Sequence, residues 1–158
     1  MTDGADRLQV LLDELDRERQ AFLDGFEAVE PELLLAPGVV EAWSARDLVV
    51  HLAFWSEHGA EALELAASER GEAFAYSTAQ TDAMNARVTE EAQALSPGAA
   101  RAREQRAFAD FRERLASLDP ALLDLRLGNG DTVEGVVRYD GSDHYAEHAA
   151  HLAAWFGE

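Results

Sequence analysis

Apolar residues recur along this chain at the spacing of an α-helix, and that period constrains the fold more than any other feature. The N-terminal segment carries six of them in steps of three, four and seven residues: Leu8, Leu11, Leu15, Phe22, Phe26 and Val29. Such a stripe is typical of an amphipathic helix that buries one face. Because Pro31, Pro37 and Gly38 interrupt the pattern, we predict that a long first helix ends near Pro31.

Two capping signals delimit the helices that follow. Ser44, with Asp47 three residues later, has the spacing of a capping box, and the helix that it begins is predicted to reach about Ala67. Ser96, followed by a proline, suits the N-cap of another helix, whose apolar face consists of Phe108, Phe111, Leu115 and Leu118. Between these two, the segment TDAMNARVTEEAQAL (residues 81–95) is predicted to form a shorter helix.

The C-terminal part of the chain is predicted to contain one more helix, which includes residues 143–152. Before it, residues 126–141 contain the sequence GNGD and several β-branched residues, which we interpret as either a small hairpin or a loop. No internal repeat, low-complexity segment or linker divides the chain. Four long helices with short accessory elements predict an all-α fold, a helical bundle in a single domain that spans residues 1–158.

The charge of the chain is strongly acidic and argues against several classes of partner. Its 31 acidic residues against 13 basic ones give a net charge of −18. Such a surface repels phosphate groups, so we expect neither nucleic acid nor an anionic membrane as a partner. The polar N-terminus and the lack of a long apolar run favour a cytoplasmic protein. Because the chain has no cysteine, disulfides, thiolate ligands and cysteine nucleophiles are excluded.

The segment DHYAEHAAHL, residues 143–152, contains three of the five histidines in the chain. On a helix, His144, His148 and His151 project within about 60° of one another. His144 and His151 are separated by a rise of about 10 Å, which is too far for both to bind one ion. His148 can therefore pair with either neighbour, and a further ligand must come from another part of the chain.

His51 is the candidate for that further ligand, because it lies between Leu48 and Trp55 in the apolar stripe of the second helix. An imidazole in an apolar stripe needs a partner to offset its lost hydration. His58 lies two turns further along, too far from His51 to bind the same ion, and we expect it to be exposed. The spacing alone is compatible with a metal site and with a buried histidine cluster that binds no metal.

Three segments of the chain resemble a known family. WSARDLVVHLAFW, residues 43–55, resembles the signature of the DinB-like superfamily, in which a tryptophan-serine turn begins a helix that supplies a metal-binding histidine. HYAEHAAHL, residues 144–152, is similar to the HxxxH motif of that family's last helix. TDAMNARV, residues 81–88, is similar to a segment of its ClbS/DfsB branch. The resemblance implies a four-helix bundle with a short extra helix in a long connection between the second and third main helices.

The resemblance assigns the metal ligands to His51, His144 and His148, with His151 as a neighbour rather than a ligand. Three imidazoles leave a position open on a divalent ion, and zinc or nickel is the expected metal. Because protons compete for the imidazoles, we expect the metal to be lost as the pH falls through about 6.5. The residues expected around the site or in its pocket are Trp43, Trp55, Asn85 and Tyr145, although a surface position is equally compatible with Asn85.

The resemblance also implies a function. The superfamily includes metal-dependent thiol transferases and mycothiol-dependent maleylpyruvate isomerases, and its members suggest a homodimer. We therefore predict a metal-dependent transferase or hydrolase that conjugates or isomerises a small electrophile with a low-molecular-weight thiol. The alternative is a resistance-type protein that sequesters a small toxic molecule without catalysis. Asp143 and Glu147, each one residue before a predicted ligand, could orient the histidines, although we expect both to be exposed.

Overall fold

The computed structural model describes residues 3–156 and consists of helices joined by turns. In chain order the helices are α1 (Gly4–Glu27), α2 (Ala45–Ala67), α3 (Thr78–Ala92), α4 (Pro97–Ala116), α5 (Val133–Val137) and α6 (His144–Phe156). Single segments of 3₁₀ helix lie at Pro31–Leu33, Gly71–Ala73 and Pro120–Asp124. Because α2 packs along α4 and α1 packs along α6, the long helices form a bundle. The predicted all-α helical bundle is confirmed.

The third helix, α3, lies in the long connection between α2 and α4, where it packs against α2. A capping box begins it, because the hydroxyl of Ser77 accepts a hydrogen bond from the backbone N–H of Gln80 and the side chain of Gln80 accepts one from the N–H of Ser77. The helix therefore begins a few residues before the predicted segment 81–95, since the cap determines its first residue. The connection has the extra helix that the family resemblance implies.

Side-chain caps also determine the first turns of α2 and α4. The hydroxyl of Ser44 accepts a hydrogen bond of 3.2 Å from the N–H of Asp47, and the carboxylate of Asp47 accepts one of 2.9 Å from the N–H of Ser44. The hydroxyl of Ser96 caps α4, and Pro97 occupies its first position. These caps satisfy N–H groups that have no partner within a helix. Both helices begin where the sequence predicts.

The segment interpreted as a small hairpin or a loop, residues 126–141, has a turn in its first part, but its second part is helical, so the interpretation is wrong from Val133 onward. A single antiparallel bridge joins Arg126 to Thr132, around a turn in which Gly130 has a φ of 93°. From Val133 onward the chain is helical, because the hydroxyl of Thr132 accepts a backbone hydrogen bond and caps α5. The valines of α5 are buried in the core, and this packing outweighs their preference for strands.

A π-helical segment, Arg138–Asp143, joins α5 to α6 without a break. It contains Gly141, where a Cβ atom would lie 3.0 Å from side-chain atoms of Leu15 on α1 and of Phe111 on α4. Gly59 on α2 permits a similar approach, because a Cβ atom there would lie 2.8 Å from Phe111. The two glycines thus allow the π-helical segment to pack closely against the other three long helices.

The interior of the bundle is mainly apolar, but it also contains several polar side chains. Large side chains such as Phe22, Phe74 and Phe111 are fully buried. The buried polar residues include three histidines, His51, His144 and His148. Within residues 3–156, no helix combines the length and the apolar character that a membrane crossing requires.

Candidate metal centre

Three histidines from two helices meet inside the bundle. His51 on α2 and His144 and His148 on α6 are each at most 8% exposed. A ring nitrogen of each lies within 4.8 Å of a ring nitrogen of the other two. The Nε2 atoms of His51 and His144 are 3.3 Å apart. The structure therefore brings together the three residues that were predicted as metal ligands.

Local structure accounts for this convergence. His51 follows the cap of α2 by two turns and lies beside Leu48 and Leu52, which are fully buried, so its ring is inside the bundle. On the partner helix, α6 begins at His144, and His148 follows one turn later on the same face. Because α2 and α6 contact each other, the three rings meet where the two helices face one another.

The three side chains fit a divalent ion of the zinc type. Tetrahedral coordination with bonds of about 2.1 Å places neighbouring nitrogens roughly 3.4 Å apart. The distance of 3.3 Å between the facing nitrogens of His51 and His144 agrees with that value. Three imidazoles with a fourth position open are typical of catalytic zinc sites, whereas structural sites have four protein ligands. Among the residues that the structure describes, these histidines form the group that could hold an ion.

Burial keeps the three imidazoles neutral, which is the form that binds a metal. It lowers the pKa of His51 to about 2, that of His148 to about 3 and that of His144 to about 4. The two other histidines lower the pKa of His51 further, since a second positive charge nearby is unfavourable. These pKa values mean that protons compete for the folded rings at a lower pH than the value of about 6.5 expected from the sequence, and the loss of metal near pH 6.5 stays a prediction that an acid titration tests.

His151 lies beside the cluster and contacts one of its members. Its Nδ1 atom is 3.1 Å from the Nδ1 atom of His148, so one of the two rings donates a hydrogen bond to the other. This contact occupies the Nδ1 atom of His148 and restricts the rotation of its ring. His151 thus has the position of a neighbour that was predicted for it. Asp143 and Glu147 are exposed, as expected.

Two tryptophans border the cluster. The ring centre of Trp43 is 4.7 Å from that of His51, and the ring centre of Trp55 is 5.7 Å from that of His144. Within the described part of the chain, the Nδ1 atom of His51 is buried and has no hydrogen-bond partner, so aromatic contacts orient this ring. Asn85 on α3 contacts Trp55 rather than the histidines, and its side-chain oxygen accepts a hydrogen bond of 3.0 Å from the indole N–H.

Tyr145 follows His144 in the chain but belongs to a different group of side chains. Its hydroxyl donates a hydrogen bond of 2.5 Å to Glu104 on α4, and its ring packs against Phe22 on α1. The buried carboxylate of Glu104 also accepts two hydrogen bonds from Arg19. We therefore assign Tyr145 to the packing of α1, α4 and α6, which corrects the expectation that it surrounds the histidines.

His58 was predicted to be exposed, and this prediction is wrong. Its side chain is 9% exposed, and its Nδ1 atom lies 2.7 Å from the carboxylate of Asp140. A signal for this position exists in the sequence, because a spacing of seven residues puts His58 on the same helical face as His51. Asp140 gave no such signal, since the segment that contains it was not predicted to be helical.

Comparison with known proteins agrees with this architecture. The family model described as the mycothiol maleylpyruvate isomerase N-terminal domain matches residues 15–154. The fold is similar to the crystal structure of an uncharacterised protein from Escherichia coli UTI89, with a TM-score of 0.78 and 18% identity, covering 94% of this chain and 91% of that chain. At this identity the likeness shows the fold alone. No curated protein matches the sequence. The family match over most of its length shows that the chain belongs to the mycothiol maleylpyruvate isomerase N-terminal domain family, within the DinB-like superfamily.

Proposed function

We propose that this protein binds a divalent ion through His51, His144 and His148 and catalyses the reaction of a small thiol with a small electrophile, by conjugation or isomerisation. The observation that carries the proposal is the convergence of three buried, neutral imidazoles within coordinating reach. The family supports thiol chemistry, because its name joins mycothiol, a thiol, to an isomerase.

His51, His144 and His148 would hold the divalent ion, which would make a thiol or water in its open position more acidic. The chain itself contributes the environment of that chemistry. Burial holds the imidazoles neutral, and Trp43 and Trp55 restrict the orientation of the rings. The contact with His151 does the same for His148.

The composition of the chain narrows the choice of reactants. The thiol must come from a small molecule, because the chain contains no cysteine. A net charge of −18 disfavours anionic reactants and favours neutral or cationic ones. A neutral thiol and an uncharged unsaturated ester are therefore suitable probes. A cytoplasmic location, a homodimer and a single domain over residues 1–158 stay predictions.

The test uses the purified chain loaded with zinc or with nickel, 2-mercaptoethanol as the thiol and dimethyl maleate as the electrophile. We expect consumption of the thiol, or conversion of the maleate to the fumarate, above the uncatalysed rate and with many turnovers per chain. His51→Ala is the matched control and should show only the uncatalysed rate. A protein that holds its metal and accelerates neither reaction would contradict the proposal.

The number of turnovers separates catalysis from sequestration. If one equivalent of electrophile disappears per chain and the reaction then stops, the protein is a binding protein of the sequestering kind. If the chain takes up no metal when zinc and nickel are offered, the proposed metal-dependent catalysis is wrong, and the histidines form either a packing cluster or a metal-free part of a sequestering site.

A further inference from the structure

A second buried polar pair lies two turns along α2 from His51. The Nδ1 atom of His58 is 2.7 Å from Oδ2 of Asp140 in the π-helical segment, and the two side chains are 9% and 2% exposed. Burial raises the pKa of Asp140 to about 6, so the carboxylate is mainly ionised at neutral pH and accepts the Nδ1–H of His58. The lone pair of His58 then lies on Nε2, which becomes a proton acceptor.

Aromatic rings enclose the imidazole of His58. The ring centres of Trp55, Phe74 and Tyr76 lie 4.6, 4.7 and 5.0 Å from the ring centre of His58. The Nε2 atom is buried and, within residues 3–156, has no hydrogen-bond partner. Such an atom lacks the hydrogen bond that would offset its desolvation, and a bound molecule that shares a proton with it would supply one.

His58 and Asp140 line a cavity of about 160 Å³. Trp55 and Tyr139 line the same cavity, and their ring centres are 5.7 and 5.5 Å from that of His144. The cavity and the histidine cluster therefore share a wall. The other polar groups along the cavity are those of Tyr76, Thr81, Asn129 and Asp131.

We propose that His58, oriented by Asp140, is the residue that transfers the proton in the thiol reaction, an inference that rests on the proposed function. The S–H bond of the thiol breaks, and its proton passes to Nε2 of His58. The thiolate sulfur then forms a C–S bond to one carbon of the double bond of the electrophile, and the electron pair of that double bond moves to the neighbouring carbon.

That neighbouring carbon takes the proton back from Nε2, so His58 returns to its starting state and no further reactant is needed. In an isomerisation, rotation about the new C–C single bond precedes the reverse steps, which release the thiol. Throughout, the hydrogen bond to Asp140 holds the ring of His58 in one orientation. The cavity orients the electrophile beside the cluster, where the thiol reacts.

The test compares His58→Gln and Asp140→Asn with the wild type in the assay with 2-mercaptoethanol and dimethyl maleate. Glutamine retains much of the size and the hydrogen bonding of histidine but cannot carry a proton at neutral pH. Asparagine at position 140 retains an acceptor for Nδ1–H but lacks the charge. Glu64→Gln, which removes an acidic charge from an exposed position of the same helix, is the matched control.

We expect His58→Gln to lower kcat by about 10²- to 10⁴-fold with little change in KM, since this is the usual contribution of general acid–base catalysis. Asp140→Asn should lower kcat by about tenfold to a hundredfold. Glu64→Gln should have the kcat of the wild type. All three variants should contain as much metal per chain as the wild type, and circular dichroism should show that they fold.

Each other result would overturn the inference. If the wild type is active and His58→Gln retains kcat within about threefold, His58 transfers no proton, and the proposed function is unaffected. If His58→Gln loses its metal, the role of His58 is structural. If His58→Gln does not fold, the test uses Asp140→Asn instead. The inference is then wrong if Asp140→Asn folds and has the kcat of the wild type. If the metal-loaded wild type is inactive, the proposed function fails and the inference fails with it.

Discussion

The Nε2 atoms of His51 and His144 lie 3.3 Å apart, although 93 positions separate the two residues in the chain. Both rings are neutral at pH 7, because burial lowers their pKa values to about 2 and about 4. An ion between them would bind one ring nitrogen from α2 and one from α6, helices that belong to different halves of the chain. Metal binding should therefore be coupled to the packing of α2 against α6.

Metal content per chain should separate the ligands from their neighbour. We expect His51→Ala and His144→Ala each to abolish stoichiometric binding, because two imidazoles hold an ion poorly. His151→Ala should weaken binding by about tenfold to a hundredfold at most. The measurement is elemental analysis after dialysis against a weak chelator, with folding checked by circular dichroism. If His151→Ala contained no metal while His144→Ala retained it, the two ligands from α6 would be His148 and His151.

Removal of the metal should lower the melting temperature. An ion that binds the folded chain alone stabilises it by about 2.7 kcal/mol when its free concentration is 100 times its Kd. A strong chelator should remove this increment from the wild type, as measured by differential scanning calorimetry. His51→Ala provides the comparison, and its melting temperature should not respond to metal or chelator. Equal shifts in both proteins would place the ion elsewhere.

Acid should destabilise the metal-free protein beginning near neutral pH. The three histidines have pKa values of about 2, 3 and 4 in the folded chain and about 6.5 in the unfolded chain. Between these values the unfolded chain binds protons that the folded chain does not. Their contribution to stability is thus complete above about pH 6.5 and decreases as the pH falls towards about 4.

The measurement of this pH dependence is urea unfolding of the metal-free protein at several values from about pH 7.5 to about pH 5. His148→Gln serves as the comparison, because glutamine does not titrate. Its free energy of unfolding should fall less steeply with acid than that of the wild type. Identical slopes would mean that His148 titrates in the folded state as it does in the unfolded chain.

Gly59→Ala should destabilise the bundle. A Cβ atom at this position would lie 2.8 Å from Phe111 and 3.3 Å from Asp140, so the Phe111 ring would have to move and Asp140 would have to shift slightly. We expect a loss of about 1–3 kcal/mol in the free energy of unfolding, as is usual for overpacking. Gly98→Ala is the control, since its nearest atom would be 4.0 Å away and alanine favours the helix by about 0.5–1 kcal/mol. Equal stabilities of the two variants would contradict this packing.

Tyr145→Phe should affect stability but not metal binding. The change removes the hydroxyl that donates to the buried Glu104, and we expect a loss of about 1–3 kcal/mol. Tyr139→Phe is the control, because that side chain is 64% exposed and its loss should cost less than about 0.5 kcal/mol. Urea unfolding and elemental analysis measure the two effects. If Tyr145→Phe lost its metal, Tyr145 would contribute to the metal site, and its assignment to helix packing alone would be wrong.

Much of the bundle could be predicted because its signals are local. The apolar stripe of α1 and the caps at Ser44 and Ser96 act within a few residues, so sequence patterns contain them. The convergence of His51 with two histidines of α6 is different, since it depends on how distant helices pack. Spacing limited the choice of ligands, and the family resemblance was needed to select among them.

The remaining errors arose from tertiary contacts. The valines of α5 have a preference for strands, and their burial in the core outweighs it in this segment. The burial of His58 depends on Asp140, which is 82 residues away in the chain. The pKa values of the three clustered histidines depend in the same way on packing that no local pattern records.

The π-helical segment Arg138–Asp143 also affects how this sequence can change in evolution. A turn closed by bonds from residue i to i+5 contains one residue more than an α-helical turn, so it accommodates a single-residue insertion. Deletion of one residue there would rotate α5 and Asp140 by about 100° relative to His144. His58 would lose its partner, while His144 and His148 would keep their common face. Deletion of one codon could thus separate His58 from Asp140 and leave His144 and His148 on their common face.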